Sequence, residues 1–273
     1  MKTLNNILLC TLILSFTLSA CKKDEPIKTG GGGGSNPPNG GNTNNCLLQK
    51  EIHYLESDTT NKANSIYHYN NRDLVTKIVL HSGNLAHDSI LFQYDNKDRL
   101  SYVFEHSYFQ NAMDTSEQHL YDMEGRLIQI NQFHSDTLNA IFQFTYSQNS
   151  ALPSIFLADY KHSSSEKYQL NWLNGNLVQA QVIEIGGSPT NPKPTYTFTY
   201  DQQDNPYKGL YNDDLLLWEM FSKNNVTNFT LQEGNNNYSE TNTLSYKNSK
   251  LVKIRSEMQG QPVEVTEFEY SCN

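Results

Sequence analysis

The stretch YDNKDRL (Tyr94–Leu100) returns 27 residues later as YDMEGRL (Tyr121–Leu127). Both belong to a longer series in which an aromatic closes an alternating run, a short polar turn follows, and an apolar residue restarts the chain. The series runs through YHYNNRDLVTKI (Tyr67–Ile78), FQYDNKDRL (Phe92–Leu100), HLYDMEGRLIQI (His119–Ile130), FTYSQNSALPSI (Phe144–Ile155) and LNWLNGNLVQA (Leu170–Ala180). It continues in FTYDQQDNPY (Phe198–Tyr207), MFSKNNVTNF (Met220–Phe229), LSYKNSKLVKI (Leu244–Ile254) and FEYSCN (Phe268–Asn273). The anchor aromatics are Tyr69, Tyr94, Tyr121, Tyr146, Trp172, Tyr200, Phe221, Tyr246 and Tyr270, spaced 21 to 28 residues apart. A recurring spacing in this range marks repeated supersecondary units.

Each unit reads as β. Phe92 and Tyr94 share a face, as do Phe144 and Tyr146, and Phe198 and Tyr200. The runs are rich in Tyr, Phe, Thr, Val and Ile, which suit a pleated, half-buried surface. The connections carry Asn, Asp, Gly and Ser, including Glu124-Gly125 and Asn174-Gly175. These residues tolerate the positive φ of tight hairpin turns. Nine units of two strands give an all-β antiparallel meander of about 17 strands over residues 46–273, as a single domain. An open sheet of that size would expose two unpaired edges, so the sheet is expected to curl into a closed or nearly closed barrel. The runs are polar on both faces, unlike a membrane-spanning barrel with its apolar outer band.

The series is interrupted once. NPYKGLYNDDLLLWEM (Asn205–Met220) contains Pro206 and Gly209, and Asp213 or Asp214 could cap a short helix. Two readings are open: a plug over one end of the sheet, or a binding loop with Tyr207, Tyr211 and Trp218 exposed.

YDMEGRL resembles the YD or Rhs repeat. The whole mature pattern, with its DNPYKGL break (Asp204–Leu210), resembles lipoproteins that carry a domain of unknown function with a porin-like fold. That resemblance implies a curled sheet or barrel and supplies no catalytic residues. The chain departs from Rhs shells in having too few repeats to form a cocoon and no further domain to enclose.

Residues 1–20 read as a secretory signal: Lys2, then the apolar run Ile7–Leu18, then small residues. LSAC (Leu18–Cys21) resembles the lipobox of bacterial lipoproteins, which implies lipidation of Cys21 and a membrane partner reached through that lipid. CKKDE (Cys21–Glu25) resembles the export tag that places such proteins on the outer face of the outer membrane, so surface exposure is expected, with the periplasmic face as the alternative. Thr29–Asn45 is Gly-, Asn-, Ser- and Pro-rich. Residues 21–45 therefore form a flexible tether.

The formal net charge of −9 lacks the basic footprint that nucleic acid requires. Hydrophobic residues make up only 37%, against more than thirty asparagines and 11% aromatics, which fits a thin core under a solvated sheet. Cys10 lies in the signal and Cys21 takes the lipid. Cys46 and Cys272 remain, and an oxidising compartment favours their pairing. That bond would bring the first strand to the last.

No sequence motif carries chemistry. The histidines His53, His68, His81, His87, His106, His119, His134 and His162 form no HxH, HExxH or Cys/His spacing, so they could bind metal only if the fold gathered them. There is no GxSxG, and GGGGG (Gly30–Gly34) has no strand before it. Asp95, Asp122 and Asp201 recur at turns, where Asp caps its own backbone. We expect no enzyme, no cofactor and no metal. Asp58–Thr60, Asp88–Ile90 and Asp136–Leu138 resemble an O-glycosylation acceptor, which implies sugars on Thr59, Ser89 or Thr137. The leading expectation is a surface binding module for a glycan, peptide or protein. The alternatives are an assembly lipoprotein without a small ligand and, behind it, a glycan-acting hydrolase needing two converging carboxylates.

Overall fold

The computed structural model describes residues 46–272 apart from 84, 108–111 and 208–220. Among the described residues seventeen strands follow one another: β1 (Cys46–Leu55), β2 (Asp58–Tyr69), β3 (Val75–Ser82), β4 (Leu85–Tyr94), β5 (Leu100–Ser107), β6 (Ala112–Tyr121), β7 (Leu127–His134) and β8 (Thr137–Tyr146). Then come β9 (Pro153–Tyr160), β10 (Glu166–Leu173), β11 (Asn176–Ile185), β12 (Ser188–Pro189), β13 (Thr195–Asp204), β14 (Asn224–Glu233), β15 (Asn236–Lys247), β16 (Lys250–Met258) and β17 (Glu264–Cys272). Each pairs antiparallel with its neighbours. The two-residue β12 lies outside the ring, because β11 also pairs directly with β13. The ring closes where β1 meets β17, in register from Cys46↔Cys272 to Leu55↔Glu264, so the expected barrel forms with 16 strands. The Cys46–Cys272 disulfide sits at one end of that seam.

The repeated phrase is one turn and the start of the next strand. In YDMEGRL, Asp122 Oδ1 accepts from the amides of Glu124 and Arg126, both at 2.9 Å, and Oδ2 accepts from Arg126 Nε at 2.7 Å. Gly125 takes φ +83°. The guanidinium of Arg126 then lies over the ring of Tyr146, the anchor of the following unit, at 4.8 Å. Arg99 repeats the arrangement over Tyr121 at 4.4 Å.

Every anchor but Phe221 sits beside a β-bulge, Tyr270 beside the one at Leu48/Lys50. Tyr94 pairs with Leu100 while Gln93 pairs with Tyr102, which leaves Ser101 as the extra residue. The same shift falls beside Tyr69, Tyr121, Tyr146, Trp172, Tyr200 and Tyr246. The second strand of a unit therefore faces inward at its first and fourth residues, as with buried Val75 and Ile78, Leu100 and Val103, and Leu127 and Ile130. A bulge disrupts the ladder locally, and here two side chains fill in. Where the extra residue is Thr76, Ser101 or Ser154, its hydroxyl bonds back across the pair, as Ser101 Oγ does to the Gln93 carbonyl at 2.9 Å. The anchor of the next unit takes the carbonyl just before the bulge. Tyr94 donates to Val75, Tyr121 to Leu100 and Tyr146 to Leu127, at 2.7–2.8 Å. Trp172 Nε1 donates to Pro153 and Tyr200 to Leu177, both at 2.6 Å. Tyr69 closes the series onto Leu48 at 2.6 Å. So Tyr binds the unit behind and Arg stacks on the unit ahead.

Three anchors differ. Phe221 has no donor and packs edge-on against Phe144 and Trp172. Tyr246 donates instead to the Asp201 carboxylate. Tyr270 packs against the cluster of Leu48, Tyr67 and Phe268.

Candidate functional site

At the anchor end the inner face of the barrel is lined by the anchor aromatics, with a buried polar cluster of Asn176, Asn205, Ser222, Asn224 and Asn225 beside β11 and β14. Farther along the strands its two sides diverge. On β7–β11 and β13 the packing stays mainly aromatic and apolar, through Phe142, Phe144, Phe156, Ala158, Leu170 and Phe198, up to Glu166, which accepts from Tyr168. On β1, β2, β5, β6 and β15–β17 the positions that face inward turn polar.

Glu51 on β1 pairs directly with Ser65 on β2 and with Phe268 on β17, and side chains opposite one another share a face. Glu51 and Ser65 are both fully buried. Tyr67, two residues along, hydrogen-bonds the Glu51 carboxylate, and burial with that carboxylate raises its phenol well above the usual range. His53 places Nε2 3.4 Å from Glu51 Oε2 and Nδ1 3.0 Å from Thr266 Oγ1. The polar face continues through Ser256, whose hydroxyl meets Asn242 Oδ1 at 2.7 Å, to Glu240. Burial and the neighbouring Glu264 push the Glu240 carboxyl up.

A second patch lies on β5 and β6. Glu117 and His119 are buried with Oε2 and Nε2 2.8 Å apart, and Ser116 Oγ donates to Glu105 Oε1 at 2.9 Å. Burial pushes the His119 imidazole down to about 3. It is therefore neutral at pH 7, with its Nε2 proton directed at Glu117.

The sequence holds a signal for these groups that only the repeat frame decodes. Two residues before the anchor, seven units place Tyr67, Phe92, Phe144, Leu170, Phe198, Leu244 and Phe268, whereas the third places His119 and the interrupted seventh Glu219. Four before the anchor, Ser65 and Glu117 stand where other units have Ile90 or Phe142. A polar residue in an apolar slot is the mark of the site, and residue-type motifs do not see it.

Tyr207 is not an exposed binding-loop residue. It is buried inside the barrel, 6.1 Å ring to ring from Phe268 on β17. Its segment is pinned there: Tyr207 N bonds Asn205 Oδ1 at 2.8 Å, Asn205 Nδ2 bonds the Ser222 carbonyl at 3.1 Å, and Asn224 N bonds Asn176 Oδ1 at 2.9 Å. An aromatic beside Pro206 fills the anchor end better than it serves as a solvated contact. Tyr211 and Trp218 lie outside the described residues, as do Cys21 and the signal.

Of the three glycosylation positions, Thr59 and Thr137 are exposed, on hairpins at the end opposite the anchors. Ser89 is 1% exposed, enclosed by its cross-strand neighbours, and cannot accept a sugar in the folded state. Asp95 and Asp122 are turn caps. Asp201 also caps its own backbone, accepting from the Gln203 amide at 3.1 Å, and in addition bonds Tyr246 and Asn225. Among the described residues no three His, Cys, Asp or Glu side chains gather in a metal-binding group.

On the outer face, amides and hydroxyls pair across neighbouring strands, beside exposed apolar side chains such as Leu120 and Ile128. Gln118 joins Tyr102 at 2.9 Å, Asn131 joins Gln118 at 3.0 Å and Gln129 joins Asn131 at 2.7 Å. Thr199 and Thr227 pair at 2.9 Å, and Asn228 bonds Thr241 at 3.1 Å.

No protein-family model and no curated protein matches the chain. Among solved structures, a porin-like protein from Bacteroides uniformis is similar over 81% of this chain and 96% of its own, with a TM-score of 0.47 and 9% identity. A porin-like protein from Bacteroides vulgatus is similar over 82% and 98%, with a TM-score of 0.44 and 9% identity. The TcdB2-TccC3 complex is similar over 81% of this chain and 11% of its own, with a TM-score of 0.37 and 12% identity.

Proposed function

We propose that this protein is a lipid-anchored binding module of the cell envelope, held by Cys21 and its tether, that takes its ligand at the polar end of the barrel. The carrying observation is the asymmetry of the inner face. Phe and Ala fill one side, while Glu51, Ser65, Glu117 and His119 are buried on the other. Burying such groups is costly compared with filling the same slots with apolar side chains, and the other units show that the fold accepts apolar residues there. Concave sites with a few convergent polar groups on an apolar wall suit glycans and peptides. The amide and hydroxyl pairs on the outer face support a body outside the bilayer, and the lipobox, CKKDE tag and tether favour the outer surface of the outer membrane.

The test is a thermal-shift series on the Cys21→Ser protein with glycan and peptide panels. A ligand at 100 times its Kd stabilises the native state by about 2.7 kcal/mol, which reads as a clear rise in Tm. The rise should vanish in Glu117→Gln or Glu51→Gln. A flat panel would move the protein to the assembly reading, and crosslinking on intact cells would then name its partner. In cells, labelled fatty acid should enter the wild-type chain and not the Cys21→Ser chain.

A further inference from the structure

On the aromatic side of the barrel, the end opposite the anchors holds a corner that the Glu51 and Glu117 patches do not explain. Glu166 opens β10 and lies opposite Ala158 of the apolar wall, so its side chain shares the inward face. The Tyr168 hydroxyl, two residues along, donates to its carboxylate. Tyr160 stands on the same face of β9, two residues beyond Ala158. Tyr168 and Tyr196 are 6.2 Å apart ring to ring and inclined by 48°. The three rings end a continuous aromatic wall: Tyr160 packs on Phe142, Tyr168 on Phe156 and Tyr196 on Phe229. Glu233, two residues past the Leu231 that faces Tyr196, brings a second carboxylate.

Carboxylates set among aromatic rings call for a cation, and the protein supplies none. Among the described residues neither Glu166 nor Glu233 makes an ion pair, while Lys161 and Lys167 pair with Asp159 and Glu184. Lys167 alternates with Glu166 and Tyr168 along β10 and so faces outward. Partial burial of a charge without a counter-charge is costly. Burial and then the Glu166 charge hold the Tyr160 and Tyr196 phenols up, Tyr196 to about 12, so both rings stay neutral. The faces of neutral rings attract an organic cation through their quadrupole, and a carboxylate beside them adds direct charge. All five side chains are half-buried, which leaves the corner open to solvent at that end.

We propose that Tyr160, Tyr168 and Tyr196 with Glu166 take an alkylammonium group of the ligand, its carbon substituents against the rings and its charge against the carboxylate. Glu233 adds to the field without a required contact. The inference rests on the reading of this barrel end as a ligand site and adds the charge of what binds there.

The test is ligand-observed NMR on the full-length protein in non-ionic detergent. The probes are choline, n-butylammonium and, for each, the uncharged isostere in which carbon replaces nitrogen. Both cations should bind about 10-fold or more tightly than their isosteres. Glu166→Gln keeps an acceptor for Tyr168 and removes the charge, while Tyr196→Leu keeps bulk and removes the ring. Each should cut the preference for cation over isostere by about 3-fold or more. Equal binding of cation and isostere would overturn the charge assignment and leave the ligand reading standing. A preference that survives both variants would place the cation elsewhere and overturn the site. Binding of no cation, while a neutral glycan or peptide still raises Tm, would overturn this inference alone. If nothing binds in either measurement, it falls with the reading it rests on. A lysine peptide and a glucosamine oligomer, each against its N-acetylated form, then identify the molecule that carries the ammonium, and a preference for neither free amine would overturn the assignment.

Discussion

At the scale of single residues, the anchor tyrosines show how small a bond holds one unit to the next. Tyr121 is half-buried, and burial raises its phenol above the usual range, so it stays a donor at any ordinary pH. Its one hydrogen bond runs to the Leu100 carbonyl at 2.8 Å. Tyr121→Phe keeps the ring under Arg99 and removes only that bond, so urea unfolding should show a loss of about 1 kcal/mol. Tyr121→Ala also removes the ring and should cost about 3–5 kcal/mol. Equal losses would mean the hydroxyl, and not the ring, carries the contact. His119 makes a pH prediction. Its folded value of about 3 lies below the unfolded 6.5. The unfolded chain therefore binds the extra proton between those values, and stability falls as pH drops through that window while remaining complete above it. His119→Gln can still donate to Glu117 and cannot titrate. Between pH 7 and 5 it should lose less stability than the wild type, by up to about 1.4 kcal/mol per pH unit. Matching slopes would mean His119 is already charged beside Glu117.

At the scale of the element, the unit is a hairpin whose turn and bulge act together. The turn slot with positive φ four residues after the anchor is filled by Asp73, Asp98 and Gly125, while Asn149 and Ser249 take positive φ one residue earlier in their turns. A Cβ on Gly125 would meet nothing closer than Arg99 Nη1 at 3.7 Å, so space is not the constraint there. The cost of Gly125→Ala is the left-handed backbone itself, about 1–2 kcal/mol. Gly125→Asn should cost less, because Asn tolerates that region and Asn149 already occupies it. Denaturation midpoints should rank Gly above Asn above Ala, and an inverted order would mean contacts outweigh φ. Turns and first strands were legible in the sequence because Asp, Gly and alternation write them directly. The bulges were not. They appear only as a spacing of three between inward residues, as in Leu127 and Ile130, which period-two reading passes over. The site escaped for a related reason: Glu51 and Ser65 are remote in sequence and meet only through register, and Tyr207 reads as a loop residue until the ring around it is closed.

At the scale of the whole molecule, closure was legible from the cost of open edges and from two cysteines at the ends of the body, while the division of the interior was not. Closure rests on two devices that an experiment can separate. The seam pairs β1 with β17 along their length, with added bonds such as Tyr54 to Glu267 at 2.8 Å. The Cys46–Cys272 bond adds a cross-link spanning 226 residues at one end of that seam. On the chain-entropy account such a bond stabilises by roughly 5 kcal/mol, acting mainly on the unfolded chain. The ladder does not need it. Cys46→Ser/Cys272→Ser should therefore keep the wild-type circular dichroism and lose several degrees of Tm or more, with hydrogen exchange rising first at the Leu47–Ser271 end of the seam. Exchange at the Leu55–Glu264 end should stay protected, since Glu56 and Arg255 clamp it through paired bonds of 2.7 Å. If the double variant instead loses its β signal altogether, the disulfide precedes the ladder and the ring closes only after oxidation. The protein's maturation would then depend on the oxidising compartment that its N-terminus is read to seek.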